Sequence, residues 1–398
     1  MRRAAYEGPT ILAMGFRPFF LAASLFGLVV VPIWWLVWRG DWTLASSFPS
    51  VDWHIHEMIF GYAAAVIAGF LFTAVPNWSG RMPTRGWPLL CLSLLWLAGR
   101  LALAGLLPLG PVGVALVDSS FLLAIGAMIL FEIVAGKNWR NLKVVVPVGL
   151  LCAANILFHV EVINGGESVI ARRLGLALVL FLITLIGGRI IPSFTRNWLA
   201  KRRASRMPVP FGRFDAWVIA LGAVGLLTWV ALPQSPVSGG LLGLGGLAHL
   251  ARLSRWRGAA VWRSPLLLML HVAYGFLAVG LLLLGAAAFD WLPLAAGMHM
   301  LGIGAMGGMT VAVMIRATLG HTGRGLIAGP TLTLAFGLIC AAAITRAALP
   351  ELAIAGLDGI AIAALLWTLG FAILAGHLVP WLALPAPGRK RPSRARPS

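Results

Sequence analysis

The sequence predicts an all-α, polytopic integral membrane protein of about twelve transmembrane helices, one helical domain over residues 1–385 with a basic tail at 386–398. Three observations predict it. Hydrophobic residues make up 60% of the chain and charged residues 11%, for a mean hydropathy of +0.92, a composition that cannot cover a water-facing surface. The apolar residues are gathered into runs long enough to cross a bilayer, which takes roughly 20 residues of helix. Short segments rich in Gly, Pro and Arg separate these runs.

In chain order the runs fall at 17–38, 54–76, 87–108, 111–133, 143–160, 171–193, 214–232, 237–252, 263–286, 290–315, 327–347 and 352–382. The first follows Arg2 and Arg3 but is long enough to span and lacks a small-residue cleavage site, so it reads as a helix rather than a removable signal. Several later runs are short or carry internal Gly and Pro, which membrane bundles tolerate. Lys and Arg favour cytoplasmic loops. With the N-terminus inside, 25 of the 31 cations fall in inner segments; the outer ones are Arg39, Arg100, Arg172, Arg173 and Arg346, and Arg189 lies within a span. Both termini are therefore expected in the cytoplasm, with GRKRPSRARPS a disordered anchor against anionic lipid.

The formal charge of +19 is scattered among loops. No continuous basic surface results, which excludes a nucleic-acid partner. Cys91, Cys152 and Cys340 lie inside runs and form neither CxxC nor CxxCH. They read as packing residues.

Ionisable groups inside a membrane are costly and tend to mark cofactors or pathways. On the N-inside topology they form two layers. The outer layer holds His54, His56 and Glu57 in VDWHIHEMIFGY, His159 and His299; the inner layer holds Asn77, Arg189, Arg196, His249, His271, Arg316, His321, Arg324 and His377. Residues two apart on a helix point about 200° from one another, so His54 and His56 face different centres rather than one metal. HEMIFGYAAAVIAGFLFTAVPNWSGR (56–81) and HMLGIGAMGGMTVAVMIRATLGHTGR (299–324) align without gaps, identical at 5 of 26 positions. The alignment offers His299 as a partner for His56 at equal depth, the arrangement of a bis-histidine haem. Glu57 can hold a ring nitrogen or carry protons. His54, beside Trp53, and His159 read equally as boundary residues or ligands. His271, with Tyr274 on its face, is a further metal-ligand candidate. Arg172, Arg173 and Arg346 are the outer cations available to haem propionates. Arg189 needs an anionic or carbonyl partner, and Arg316, His321 and Arg324 form a cationic turn suited to structural contacts, lipid phosphate or a quinone head group.

GFRPFFLAA (15–23), WHIHEMIFGYAAAVIAGFLFTAVPNWSGR (53–81), GGRIIPSFTRN (187–197) and the 299–324 segment resemble the NnrS family of bacterial membrane proteins. The resemblance implies haem b and possibly copper, and a role in nitric oxide metabolism, denitrification and nitrosative stress. It carries His54, His56, His299 and His321 as recurring histidines, with His159 and His271 beside them. More distantly, the architecture resembles the catalytic subunits of haem–copper oxidases and nitric oxide reductases, but no histidine lies in the sixth or seventh run, where those proteins assemble copper. Copper ligands therefore stay unassigned. The resulting expectation is an inner-membrane haem protein that binds and reduces nitric oxide near the periplasmic face, with electrons from quinol or a periplasmic donor and Glu57 as proton carrier. A nitric oxide scavenger or sensor without turnover, and a secondary transporter using intramembrane His, Glu and Arg, are the alternatives.

Overall fold

The computed structural model describes residues 6–385; the tail expected at 386–398 lies outside the described residues. The main helices are α1 (Phe16–Arg39), α2 (Ser50–Trp78), α3 (Trp87–Leu103), α4 (Pro111–Ala135), α5 (Val145–Gly165), α6 (Ala171–Ala200), α7 (Arg213–Ala231), α8 (Pro236–Ser254), α9 (Pro265–Ala287), α10 (Leu294–His321), α11 (Gly329–Ala348) and α12 (Gly359–Ala383). Among the described residues, ten are long and apolar enough to cross a membrane by length and composition. The exceptions are α3, at 17 residues, and α8, whose run is diluted by five glycines. The expected runs and the helices agree except at their ends. The last run was expected from 352, but α12 starts at Gly359, where the Asp358 carboxylate accepts the Ala361 N–H at 2.7 Å.

Helix ends follow local chemistry. Gly40 and Gly166 close α1 and α5 in the left-handed conformation, at φ 81° and 82°, which costs glycine no Cβ clash. Arg17, expected among the N-terminal cytoplasmic cations, instead donates to the Leu382 carbonyl at 2.7 Å and the Leu384 carbonyl at 3.2 Å, capping the end of α12.

Burial sorts the helices into centre and periphery. The most apolar windows of α2, α10 and α6 are 83%, 72% and 67% buried, against 33% for α4 and 39% for α1 and α7. Peripheral helices turn Leu116, Leu123, Phe131, Trp217 and Leu227 outward, the pattern of a lipid-facing surface. Around the centre lie three lobes: α3, α4 and α5 beside α2; α7, α8 and α9, with α7 on α6 and α9 chiefly on α10; and α11, α12 and α1, with α11 on α10 and α1 between α12 and α2.

The three central helices share a second feature. Each widens into a π-helical stretch, at Glu57–Ala63, Ile183–Gly187 and Met300–Gly307. A widened turn leaves carbonyls to side-chain donors. Trp96 Nε1 donates to the Gly61 carbonyl at 3.0 Å, Arg252 Nη1 to that of Thr184 at 3.1 Å, and Thr310 Oγ1 to those of Met306 and Gly307 at 2.7 and 2.9 Å. The weak alignment of 56–81 with 299–324 has a structural counterpart here: His56 and His299 each sit directly before a π-helical stretch.

Candidate metal centre

α2 carries His54 and His56 to different lobes. His56 enters the lobe of α3–α5. Its Nε2 lies 2.7 Å from Asn155 Oδ1 and 3.2 Å from Asp118 Oδ2, and its Nδ1 lies 3.4 Å from Glu57 Oε1. His159 Nε2 reaches Asp118 Oδ2 at 3.0 Å, and Asn155 Nδ2 donates to the same oxygen at 2.8 Å. The Arg100 guanidinium spans both carboxylates, donating to Glu57 through Nη1 and to Asp118 through Nη2. Every member is buried, Arg100 the most exposed at 7%.

Local sequence makes this convergence possible. Gly61 has no side chain because one would press on Arg100 Nη1 and on Glu57 Oε2, 3.1 Å away. Phe48, Phe60 and Phe158 stand 5.0–5.3 Å from the His56 ring, centroid to centroid. These rings exclude water and leave the charges in a weakly screening interior.

The charges do not balance. Glu57 and Asp118 bring two negative charges and Arg100 one positive, a surplus of one negative charge inside the bundle. Burying it is costly unless a proton or a metal cation joins. One ligand atom from each of His56, Asp118 and His159 lies within 4.8 Å of the others, and among the described residues this is the group of metal-binding donors that forms. Two imidazoles and a carboxylate suit copper, iron or zinc, and Glu57 at His56 Nδ1 is the outer carboxylate that orients ligating histidines. The donor set therefore fits a transition-metal ion.

His54 turns the other way, into the lobe of α1, α11 and α12. It stacks on Trp34 at 4.2 Å between centroids, its Nδ1 is buried without a partner, and His299 and Arg346 lie in its neighbourhood. His299 donates from Nδ1 to the Ala295 carbonyl at 2.8 Å, which leaves Nε2 as the ligating nitrogen. The sequence repeat pointed to His56 as the partner of His299; His56 turns instead into the Asp118 group, and His54 is the histidine of α2 in the neighbourhood of His299.

The other expected residues lie apart. Arg172 is 3.8 Å from Asp52, whose Oδ2 accepts the Ser168 N–H at 2.9 Å, and Arg173 donates to the Val230 carbonyl at 3.0 Å. Glu161 accepts from the N–H groups of Val169, Ile170 and Ala171 at 2.9–3.1 Å, capping the start of α6. His271 donates to the Leu267 carbonyl at 3.0 Å and joins neither histidine group. At the opposite ends of the helices, Arg189 lies over Trp78, Arg316 over Phe194 and Arg324 over Trp381, while His321 packs against Phe16. Each of these cations has an aromatic face rather than a shared anion site.

Sequence reasoning missed Asp118, Asn155 and Arg100. Asp118 carried a readable signal, a carboxylate inside an apolar run. Arg100, counted among outer-loop cations, lies inside α3. Also missed were Asp215 and Arg252 in the lobe of α7–α9. Arg252 Nε lies 3.0 Å from Asp215 Oδ1, and its Nη1 donates to Tyr274 Oη at 2.8 Å; the same hydroxyl lies 2.8 Å from His249 Nδ1.

A search of curated proteins finds no match to the chain. The profile of the family described as NnrS protein matches residues 10–385, nearly the whole sequence, and the chain belongs to the NnrS family.

Proposed function

We propose that this chain is a multi-pass inner-membrane protein that binds nitric oxide at a haem- and metal-containing site and reduces it to nitrous oxide. Both termini would lie in the cytoplasm and the histidine clusters near the periplasmic face. Family membership supports a role in nitric oxide metabolism. The observation that carries the reading is the buried His56–Asp118–His159 set beside a surplus negative charge.

His56, Asp118 and His159 would hold a metal ion such as copper, and His54 and His299 a haem b, with Arg346 for a propionate. When bound, these groups would supply a coordination position for nitric oxide and relay electrons to it. The net reaction joins two nitric oxide molecules with two electrons and two protons, giving nitrous oxide and water. Quinol or a periplasmic donor would furnish the electrons. Glu57, at His56 Nδ1, holds or passes a proton there while Arg100 fixes its carboxylate. The Phe48, Phe60 and Phe158 rings keep bulk water away, so protons enter through side chains.

The test uses the purified protein with a reductant. Haem and metal content, a Soret band that changes in His54→Ala and His299→Ala, and release of nitrous oxide together support the proposal. Nitric oxide uptake without nitrous oxide leaves a scavenger or sensor. Colourless, metal-free protein overturns both.

A further inference from the structure

A pocket of about 80 Å³ lies between the three central helices, lined by Ala63 and Val66 of α2, Ile186 and Gly187 of α6, and Met309 and Thr310 of α10 among others. Its position has a physical cause. Ala63 ends the π-helical stretch of α2, Ile186 and Gly187 lie in that of α6, and Met309 lies two residues beyond that of α10. A π turn has a larger radius than an α turn and shifts the phase of the side chains after it. Three such turns at one level spread the helices, and space remains where the small Ala63 and Gly187 cannot fill it.

The lining is aliphatic and aromatic apart from Thr310. That hydroxyl is already engaged by Tyr62 Oη at 2.6 Å and by the Met306 and Gly307 carbonyls. The pocket thus offers no free hydrogen-bonding group, and a water there would lose most of its partners. The pocket is partly open rather than sealed, but its lining has the chemistry of the larger, enclosed apolar cavities that stay dry and take up xenon or small apolar molecules. No charged side chain reaches the lining, so ions and polar solutes are excluded as well.

We infer that this pocket is a binding site for a small, neutral, apolar gas molecule, placed between α6 and the histidine-bearing helices α2 and α10. Its natural occupant, nitric oxide, rests on the proposed function; its capacity for an apolar gas does not. Ala63 is seven residues along α2 from His56, about 10 Å of helix. A gas held there is stored within two turns of the metal-binding set.

The test is xenon. Structure determination of the full-length protein under xenon pressure is expected to show one atom between Val66, Ile186 and Met309, and none there in Val66→Phe or Ile186→Phe, two variants on different helices that fill the space. No xenon at this position in the wild type, or undiminished occupancy in both variants, overturns the site. With the holoprotein, rapid mixing with nitric oxide should show a several-fold slower association rate in the filled variants and an unchanged metal and haem content. Xenon binding combined with no nitric oxide binding would retain the apolar site and reject the nitric oxide reading. Equal association rates in filled and wild-type protein would reject the pocket's role in supplying that gas.

Discussion

The lobe of α2–α5 and the lobe of α6–α9 each bury a guanidinium against carboxylate, and they differ in charge. In the second lobe Arg252 meets one carboxylate, Asp215, and its remaining contacts are the Thr184 carbonyl and the Tyr274 hydroxyl. Among the fully buried groups charge is balanced, with the part-exposed Arg255 4.0 Å from the other Asp215 oxygen, and the group ties α6, α7, α8 and α9 together at a π turn. In the first lobe Arg100 faces both Glu57 and Asp118, two imidazoles stand on Asp118, and one negative charge is left over. A balanced buried pair fixes helices in place, whereas an unbalanced one calls for a proton or a metal cation. The difference separates a brace from a candidate metal site without reference to any ligand.

The largest effect should come from the shared feature. Arg100→Leu leaves two carboxylates facing each other in the interior, and Asp215→Leu leaves Arg252 unpaired. Each is expected to cost about 3–5 kcal/mol, read as loss of folded protein in thermal unfolding in detergent. Asp118→Asn should stabilise the metal-free first lobe relative to Arg100→Leu, and the double variant with Arg100→Leu should recover part of the loss. A lack of recovery would break the charge argument.

Next in size is metal retention, which sharpens the contrast. His56→Ala and His159→Ala should abolish stoichiometric metal in elemental analysis, whereas His249→Ala should leave it unchanged. Equal losses in all three would erase the distinction between the lobes. Glu57→Gln keeps the shape but weakens the hold on His56 Nδ1, and metal affinity should fall about 10- to 100-fold, measured by competition with a chelator. The smallest effect is expected for Tyr274→Phe. Removing the hydroxyl between His249 and Arg252 should cost about 1–3 kcal/mol in unfolding and leave metal content at the wild-type level.

How far the sequence could be read varies with the range of the interaction. The apolar runs of α1, α2, α4 and α9 were legible because bilayer crossing is a matter of local length and hydropathy. His54 and His56 could be assigned to different centres because the angle between them is set within one helix turn. Pairing was not legible. The repeat favoured His56 opposite His299, yet packing turns His56 into the Asp118 group and leaves His54 in the neighbourhood of His299. Arg100 was misplaced in an outer loop because one cation near the end of a run looks the same whether it caps the helix or turns inward. Asp118 and Asn155 were overlooked although an intramembrane carboxylate is itself a signal.

The sequence by itself determined an apolar bundle, the helices that make it, and two histidines of α2 facing apart. It also carried the family resemblance on which the nitric oxide reading depends. Only the tertiary structure decided that His56, Asp118 and His159 meet, that Arg100 is shared between two carboxylates, and that the widened turns of α2, α6 and α10 border one apolar pocket. Hydropathy and helix phase are properties of neighbouring residues. Charge balance and empty space belong to groups as far apart in the chain as Glu57 and Asp118 or Ala63 and Met309, and they exist only once the helices have packed.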